Sequence, residues 1–132
     1  MKSKTVQDYM TQNRYLITFQ PDTDIFFAIE MLINRSISGA PVVNKAGELV
    51  GVLSEKDCLK VMLQMTMHHH PAGTVGEYMS NEVKTLDQNK TILDAVEAFQ
   101  KSVFRRFPVT DGKKLVGLIT RRDILRAIKE TI

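Results

Sequence analysis

Apolar residues follow two alternating rhythms along the chain. After Pro21-Asp22-Thr23-Asp24, which carries helix-start signals, Ile25, Ala28, Ile29, Leu32 and Ile33 recur at the spacing of one helical face. The rhythm then shortens. Residues 40–43 and 48–53 are rich in β-branched and apolar residues, with Lys45-Ala46-Gly47 between them, which predicts a hairpin. Helical spacing returns from Glu55 to about Met65. Ahead of all this, residues 5–10 read as a short helical turn and residues 15–18 as a short strand. The predicted order is helix, strand, helix, strand, strand, helix.

The same order then recurs. Thr5-Val6-Gln7-Asp8-Tyr9-Met10-Thr11 returns as Thr74-Val75-Gly76-Glu77-Tyr78-Met79-Ser80. Ile92, Ala95, Val96 and Phe99 follow Thr91 as a second helical face, and Pro41-Val42-Val43 returns as Pro108-Val109-Thr110. Leu49-Val50-Gly51-Val52-Leu53-Ser54 returns as Leu115-Val116-Gly117-Leu118-Ile119-Thr120, and Asp57 as Asp123. Asp111-Gly112 is a strong hairpin-turn signal in the second copy, which closes with a helix from Arg121 to about Lys129. The chain divides into a first unit at 1–67, a linker at 68–73 and a second unit at 74–132. A unit of about 65 residues buries little core alone, so the two are expected to pack together.

Composition narrows the class. Of 132 residues, 43% are hydrophobic and 25% charged, which excludes a disordered chain. The net charge of +3 favours anionic partners only slightly. The single cysteine, Cys58, forms no disulfide within the chain and fits a reducing compartment. No apolar run approaches the roughly 18 residues of a membrane span, and the N-terminus turns polar where a signal peptide would become apolar. A cytoplasmic protein is expected.

These repeated residues resemble the CBS domain. Its pattern runs from an opening Met-Ser/Thr through a strand ending in Thr, a helix with a central Ala and a Pro-Val strand. It closes with an apolar-Gly-apolar-apolar-Ser/Thr-x-x-Asp stretch. Met10-Thr11, Thr18, Ala28, Pro41-Val42-Val43 and Gly51 to Asp57 carry it in the first copy. Met79-Ser80, Thr85, Ala95, Pro108-Val109 and Gly117 to Asp123 carry it in the second. The resemblance implies an α/β (α+β) fold of tandem βαββα repeats packed as a pseudo-twofold Bateman module, here a stand-alone pair. It further implies a disk-like homodimer and a regulatory ligand such as AMP, ADP, ATP or S-adenosylmethionine. That ligand would sit in clefts between the repeats, in an energy-sensing module that signals to an effector protein.

The residues themselves read two ways. Ser54 to Asp57 and Thr120 to Asp123 sit where a strand passes into a helix. A hydroxyl with an acid three residues on is a helix cap, satisfying free backbone N–H groups. The same geometry offers a helix N-terminus and a hydroxyl to phosphate. A carboxylate there can accept from two ribose hydroxyls. The resemblance assigns that ribose role to Asp57 and Asp123. It also places Ala40-Pro41 and Phe107-Pro108 along an adenine slot, although core packing serves Phe107 as well. Thr18 and Thr85 end the first strands, where a hydroxyl contact and plain β-propensity both fit. Arg105, Arg106, Arg121 and Arg122 cluster in the second copy, and guanidinium matches phosphate in a bidentate way. Glu55 opposes phosphate in the first, offset by Lys56. The second site is therefore the expected one if a single site is filled.

Other chemistry is thin. His68-His69-His70 lies in the linker with no further ligand cluster, so it reads as linker rather than as a metal site. Cys58 and Met62, Met65 and Met67 read as core filling, with a partner surface as the methionines' other use. No nucleophile–base pair, metal motif or phosphate loop points to an enzyme, and no motif points to nucleic acid. No catalytic residue, metal or cofactor is expected. A regulatory ligand-binding module and an interaction module with vestigial nucleotide sites remain the two readings.

Overall fold

The computed structural model describes residues 4–131. Its helices are α1 (Val6–Tyr9), α2 (Ile25–Asn34), α3 (Glu55–Met67), α4 (Val75–Tyr78), α5 (Ile92–Gln100) and α6 (Arg121–Thr131). Its strands are β1 (Thr11–Gln12), β2 (Gly39–Val43), β3 (Leu49–Ser54), β4 (Leu86–Asp87), β5 (Arg106–Asp111) and β6 (Lys114–Thr120). The order of elements is repeated, as the pattern predicts.

The chain forms two compact units, residues 17–83 and residues 4–16 with 84–131. These differ from the sequence repeats in one respect. The opening helix of each repeat packs in the unit built by the other repeat's strands and closing helix. The motif glycines make room for this exchange. A Cβ on Gly117 would lie 2.6 Å from the Thr11 carbonyl and 2.5 Å from the Met10 sulfur. One on Gly51 would lie 2.7 Å from both the Ser80 carbonyl and the Met79 sulfur. Val52 and Ser80 exchange both backbone hydrogen bonds, at 3.0 and 2.9 Å.

In the unit of residues 17–83, β2 and β3 pair antiparallel, with Pro41 opposite Val52. Asn44 shapes their turn by accepting from the amides of Ala46 and Glu48. Asp24 caps α2 through the Phe27 amide. Ile25, Ala28 and Leu32 of α2 enter a core with Phe19, Val42, Leu53, Val61, Val75 and Tyr78. Ile33 leaves the predicted face and is 70% exposed. Cys58 packs partly against this core. Met62, Met65 and Met67 do not fill it. Each is exposed: Met62 and Met67 share the open face of α3 with Leu59 and Leu63, while Met65, one turn past buried Val61, is 40% exposed.

In the other unit, one sheet runs β1-β6-β5-β4. Its core includes Val6, Tyr9, Leu86, Ala95, Phe99, Phe107, Val109, Ile119, Ile124 and Ala127. Thr91 and Asp94 cap α5 reciprocally, at 3.0 and 3.1 Å.

The strand expected at residues 15–18 is replaced by a 3-10 turn (Asn13–Tyr15) and extended chain with one parallel bridge, Phe19 to Val42. Phe19 donates to the Pro41 carbonyl at 3.0 Å and accepts from Val43 at 2.8 Å. Continuing the ladder towards Thr18 needs an N–H on Pro41, which proline lacks. Pro108 limits β4 in the same way, so that strand begins at Leu86, just after Thr85.

Candidate functional site

Each repeat brings its candidate residues to one end of its own sheet. In the first, the β2–β3 register sets Gly39 opposite Ser54 and Ala40 opposite Leu53. The Glu55 amide at the start of α3 donates to the Ser38 carbonyl at 2.9 Å. The entrance to β2 is thus tied to the entrance to α3. The Phe19 bridge sets half-buried Thr18 beside buried Pro41. Thr18, Ala40, Pro41, Ser54 and Asp57 therefore converge within one unit.

Asp57 closes the group. Its Oδ2 accepts from the Ser54 amide at 2.9 Å, while the Asp57 amide donates to the Ser54 hydroxyl at 3.1 Å. Its Oδ1 faces the Lys60 ammonium at 3.7 Å. Next to it, the Cys58 thiol is pushed up, first by burial and then by the charges of Asp57 and Glu55. That disfavours the thiolate, the reactive form of the side chain.

The second repeat reproduces this arrangement. Arg106 lies opposite Thr120 and Phe107 opposite Ile119. The Arg121 amide donates to the Arg105 carbonyl at 3.2 Å. Asp123, though charged, is only 8% exposed. Its Oδ2 accepts from the amide and the hydroxyl of Thr120, and its Oδ1 faces Arg126 at 3.4 Å. Thr85 is exposed and precedes β4, whose register sets it beside Pro108. Arg105, Arg121 and Arg122 are exposed around this helix start, and Arg106 is half-buried. The Phe107 ring lies 4.7 Å from that of Phe99 and 6.0 Å from that of Phe104. Its side chain belongs to the core, and its backbone is what it can offer a ligand.

Lys60 and Arg126 are site residues that sequence reasoning missed. Each stands three positions after its aspartate, a helical spacing that was legible. The Ser38 and Arg105 carbonyls carried no such signal, because only the folded hairpin brings them to the helix start. His68-His70 ends α3 and enters the linker, with His69 in the left-handed region at φ 55°. Among the described residues, no three His, Cys, Asp or Glu side chains gather as a metal site needs. No described helix is long and apolar enough to cross a membrane.

Two hairpins, each feeding a helix capped by a returned aspartate, define a tandem pair of α/β units. The chain belongs to the CBS domain family, whose model matches residues 6–64 and 75–130. It is 26% identical to the uncharacterized protein MJ1225 of Methanocaldococcus jannaschii over 126 residues, 96% of this chain. It is 28% identical to the chloroplastic CBS domain-containing protein CBSX2 of Arabidopsis thaliana over 93% of this chain. The chain spans 43% and 63% of the lengths of these relatives. The crystal structure of CBSX2 in complex with AMP superposes with a TM-score of 0.85 at 31% identity, covering 97% of this chain and 98% of that one. The CBS domain pair of protein MJ0100, in complex with 5'-methylthioadenosine and S-adenosyl-L-methionine, superposes with a TM-score of 0.76 at 25% identity. It covers 99% of this chain and all of that one.

Proposed function

We propose that this CBS pair is a regulatory module that binds an adenosine-type nucleotide and does not transform it. The observation that carries the reading is the duplicated aspartate. In both repeats a carboxylate is held at a helix start, one oxygen fixed by the cap and the other towards a cation. That second oxygen can exchange its cation for ribose hydroxyls, while the helix start and the arginines of the second repeat attract phosphate. The similarity to CBSX2 with AMP and to the MJ0100 pair with its adenosyl ligands supports the same class. AMP, ADP, ATP and S-adenosylmethionine are the proposed ligands, with no catalytic residue and no cofactor. The module would act as a cytoplasmic homodimer, sensing energy state and signalling to an effector protein.

A thermal-shift series with AMP, ADP, ATP, NAD and S-adenosylmethionine tests this. A ligand that binds the native state raises the melting temperature with its concentration. A rise with one adenosyl compound supports the reading, and no rise at millimolar ligand overturns it. Light scattering tests the dimer, and a monomer at working concentration would defeat it.

A second reading, an interaction module with vestigial sites, draws on two observations. Asp57 and Asp123 are already complete helix caps. The open face of α3 carries Leu59, Met62, Leu63 and Met67, each at least half exposed.

A further inference from the structure

The two units differ where each closing helix meets the opening helix it receives. In the unit containing α6, a side-chain network bridges the two helices. Arg126 donates to the Tyr9 carbonyl at 3.1 Å and lies over the Tyr9 ring, 5.8 Å from its centre. The Tyr9 hydroxyl donates to Glu130 at 2.6 Å. Tyrosine, guanidinium and carboxylate thus close on one another across the two helices.

The repeat carries Arg126 back to Lys60, Glu130 to Gln64, Tyr9 to Tyr78 and Asp8 to Glu77. Here the network is gone. The Tyr78 hydroxyl turns away to donate to the Ala72 carbonyl of the linker. Gln64, neutral where Glu130 is charged, holds no tyrosine. The result is a half-open cavity of about 430 Å³, lined by Lys60, Gln64, His70, Gly73, Glu77 and Tyr78 among others. That volume lies within the range of small-molecule sites. One wall is anchored at Gly73. Gly73 accepts from the Ile25 amide at 3.1 Å, and the Glu77 carboxylate rests against Gly73, where an added Cβ would meet it at 2.2 Å.

The chemistry of the lining selects a ligand. Lys60 and Glu77 bring opposite charges to one cavity, yet among the described residues the ion pairs are Lys60–Asp57 and Arg126–Asp123. At 3.7 Å, the Lys60–Asp57 contact is longer than a charge-assisted hydrogen bond and leaves ammonium donors available. A ligand with a carboxylate for Lys60 and an ammonium for Glu77 completes both charges at once. Gln64, with a carbonyl and an amide, serves either end. We infer that the cavity between α3, the linker and α4 is a second ligand site, which takes a small zwitterion of the α-amino acid class. It shares Lys60 with the Asp57 group but needs no nucleotide, so either reading can fail without the other.

Amide chemical shifts of the nucleotide-free protein test this, with L-α-amino acids added singly at millimolar concentration. At least one amino acid is expected to shift the amides of Gln64, Gly73 and Glu77 in a saturable way. Its N-acetyl and carboxamide derivatives, each lacking one charge, should shift them at least tenfold less at equal concentration. Glu77→Gln should abolish the response while leaving the remaining spectrum unchanged, and Lys60→Met should abolish it while also shifting the amides next to Asp57, its ion-pair partner. Inorganic phosphate shifting the same amides, with the effect retained in Glu77→Gln, would make the cavity an anion site and overturn the inference. No saturable shift with any amino acid would overturn it as well.

Discussion

Asp123 accepts from both the amide and the hydroxyl of Thr120 through a single oxygen, at 2.9 and 3.0 Å. Its second oxygen is left to Arg126. Both hydroxyls accept from the amide of their aspartate, but that of Ser54 does not also donate to Asp57. The first site thus has the freer hydroxyl, while the second has the surrounding arginines. Charge-assisted hydrogen bonds are roughly twice as strong as neutral ones, so the arginines should decide. Asp123→Ala is expected to weaken nucleotide binding more than Asp57→Ala, as measured by calorimetric titration. Equal effects, or none, would remove the asymmetry.

The same substitutions remove the acidic half of each reciprocal helix cap. Each is expected to lower stability by about 1 kcal/mol without unfolding the protein. Urea denaturation followed by circular dichroism measures this, and loss of the folded baseline in water would contradict it.

Gly51→Ala should loosen the exchanged segment. Its Cβ meets the Ser80 backbone, which cannot swing aside, and the expected cost is about 1–3 kcal/mol. Hydrogen exchange should quicken at the amides of Val52 and Ser80, which bond to each other's carbonyls. Gly47→Ala is the control. Nothing lies within 4 Å of its added Cβ, so its strain comes from φ +81° alone and should leave those two amides protected.

Stability should fall at both ends of the pH scale. The Thr91 amide and then its hydroxyl hold Asp94 below the ordinary carboxylate range. A depressed pKa contributes stability above the unfolded value near 4, lost as pH falls through the folded one. At the other end, the Glu130 carboxylate, followed by burial, pushes the Tyr9 phenol up. A raised pKa contributes stability below the unfolded value near 10, lost as pH rises through the folded one. Asp94→Asn should flatten the acid limb. Tyr9→Phe should flatten part of the alkaline limb, leaving the part due to Tyr78, which burial also raises. Urea midpoints across pH measure both, and limbs unchanged in these variants would refute the assignment.

Much of this was legible from local pattern. The helical faces at Ile25-Ala28-Leu32 and Ile92-Ala95-Phe99, the two hairpins and the aspartates three residues past Ser54 and Thr120 rest on short-range periodicity and capping chemistry. Those signals are written in neighbouring residues, and writing them twice made each copy check the other. What failed was non-local. A strand at residues 15–18 was plausible by composition, but its ladder depends on Pro41, which lies far along the chain and has no N–H to give. The methionines of α3 were plausible core residues until the packing of Val61 decided which side of the helix faces inward.

The sequence by itself determined the family, the order of elements and the paired aspartates, because repetition and capping are properties of short segments. Tertiary structure alone decided that the opening helices exchange between units, since only folded strands bring Gly51 to Met79 and Gly117 to Met10. It also decided that one Tyr–Arg–Glu network closes and its counterpart opens into a cavity. That outcome turns on where the Tyr78 hydroxyl finds its acceptor, and the Ala72 carbonyl reaches it only through the path of the linker.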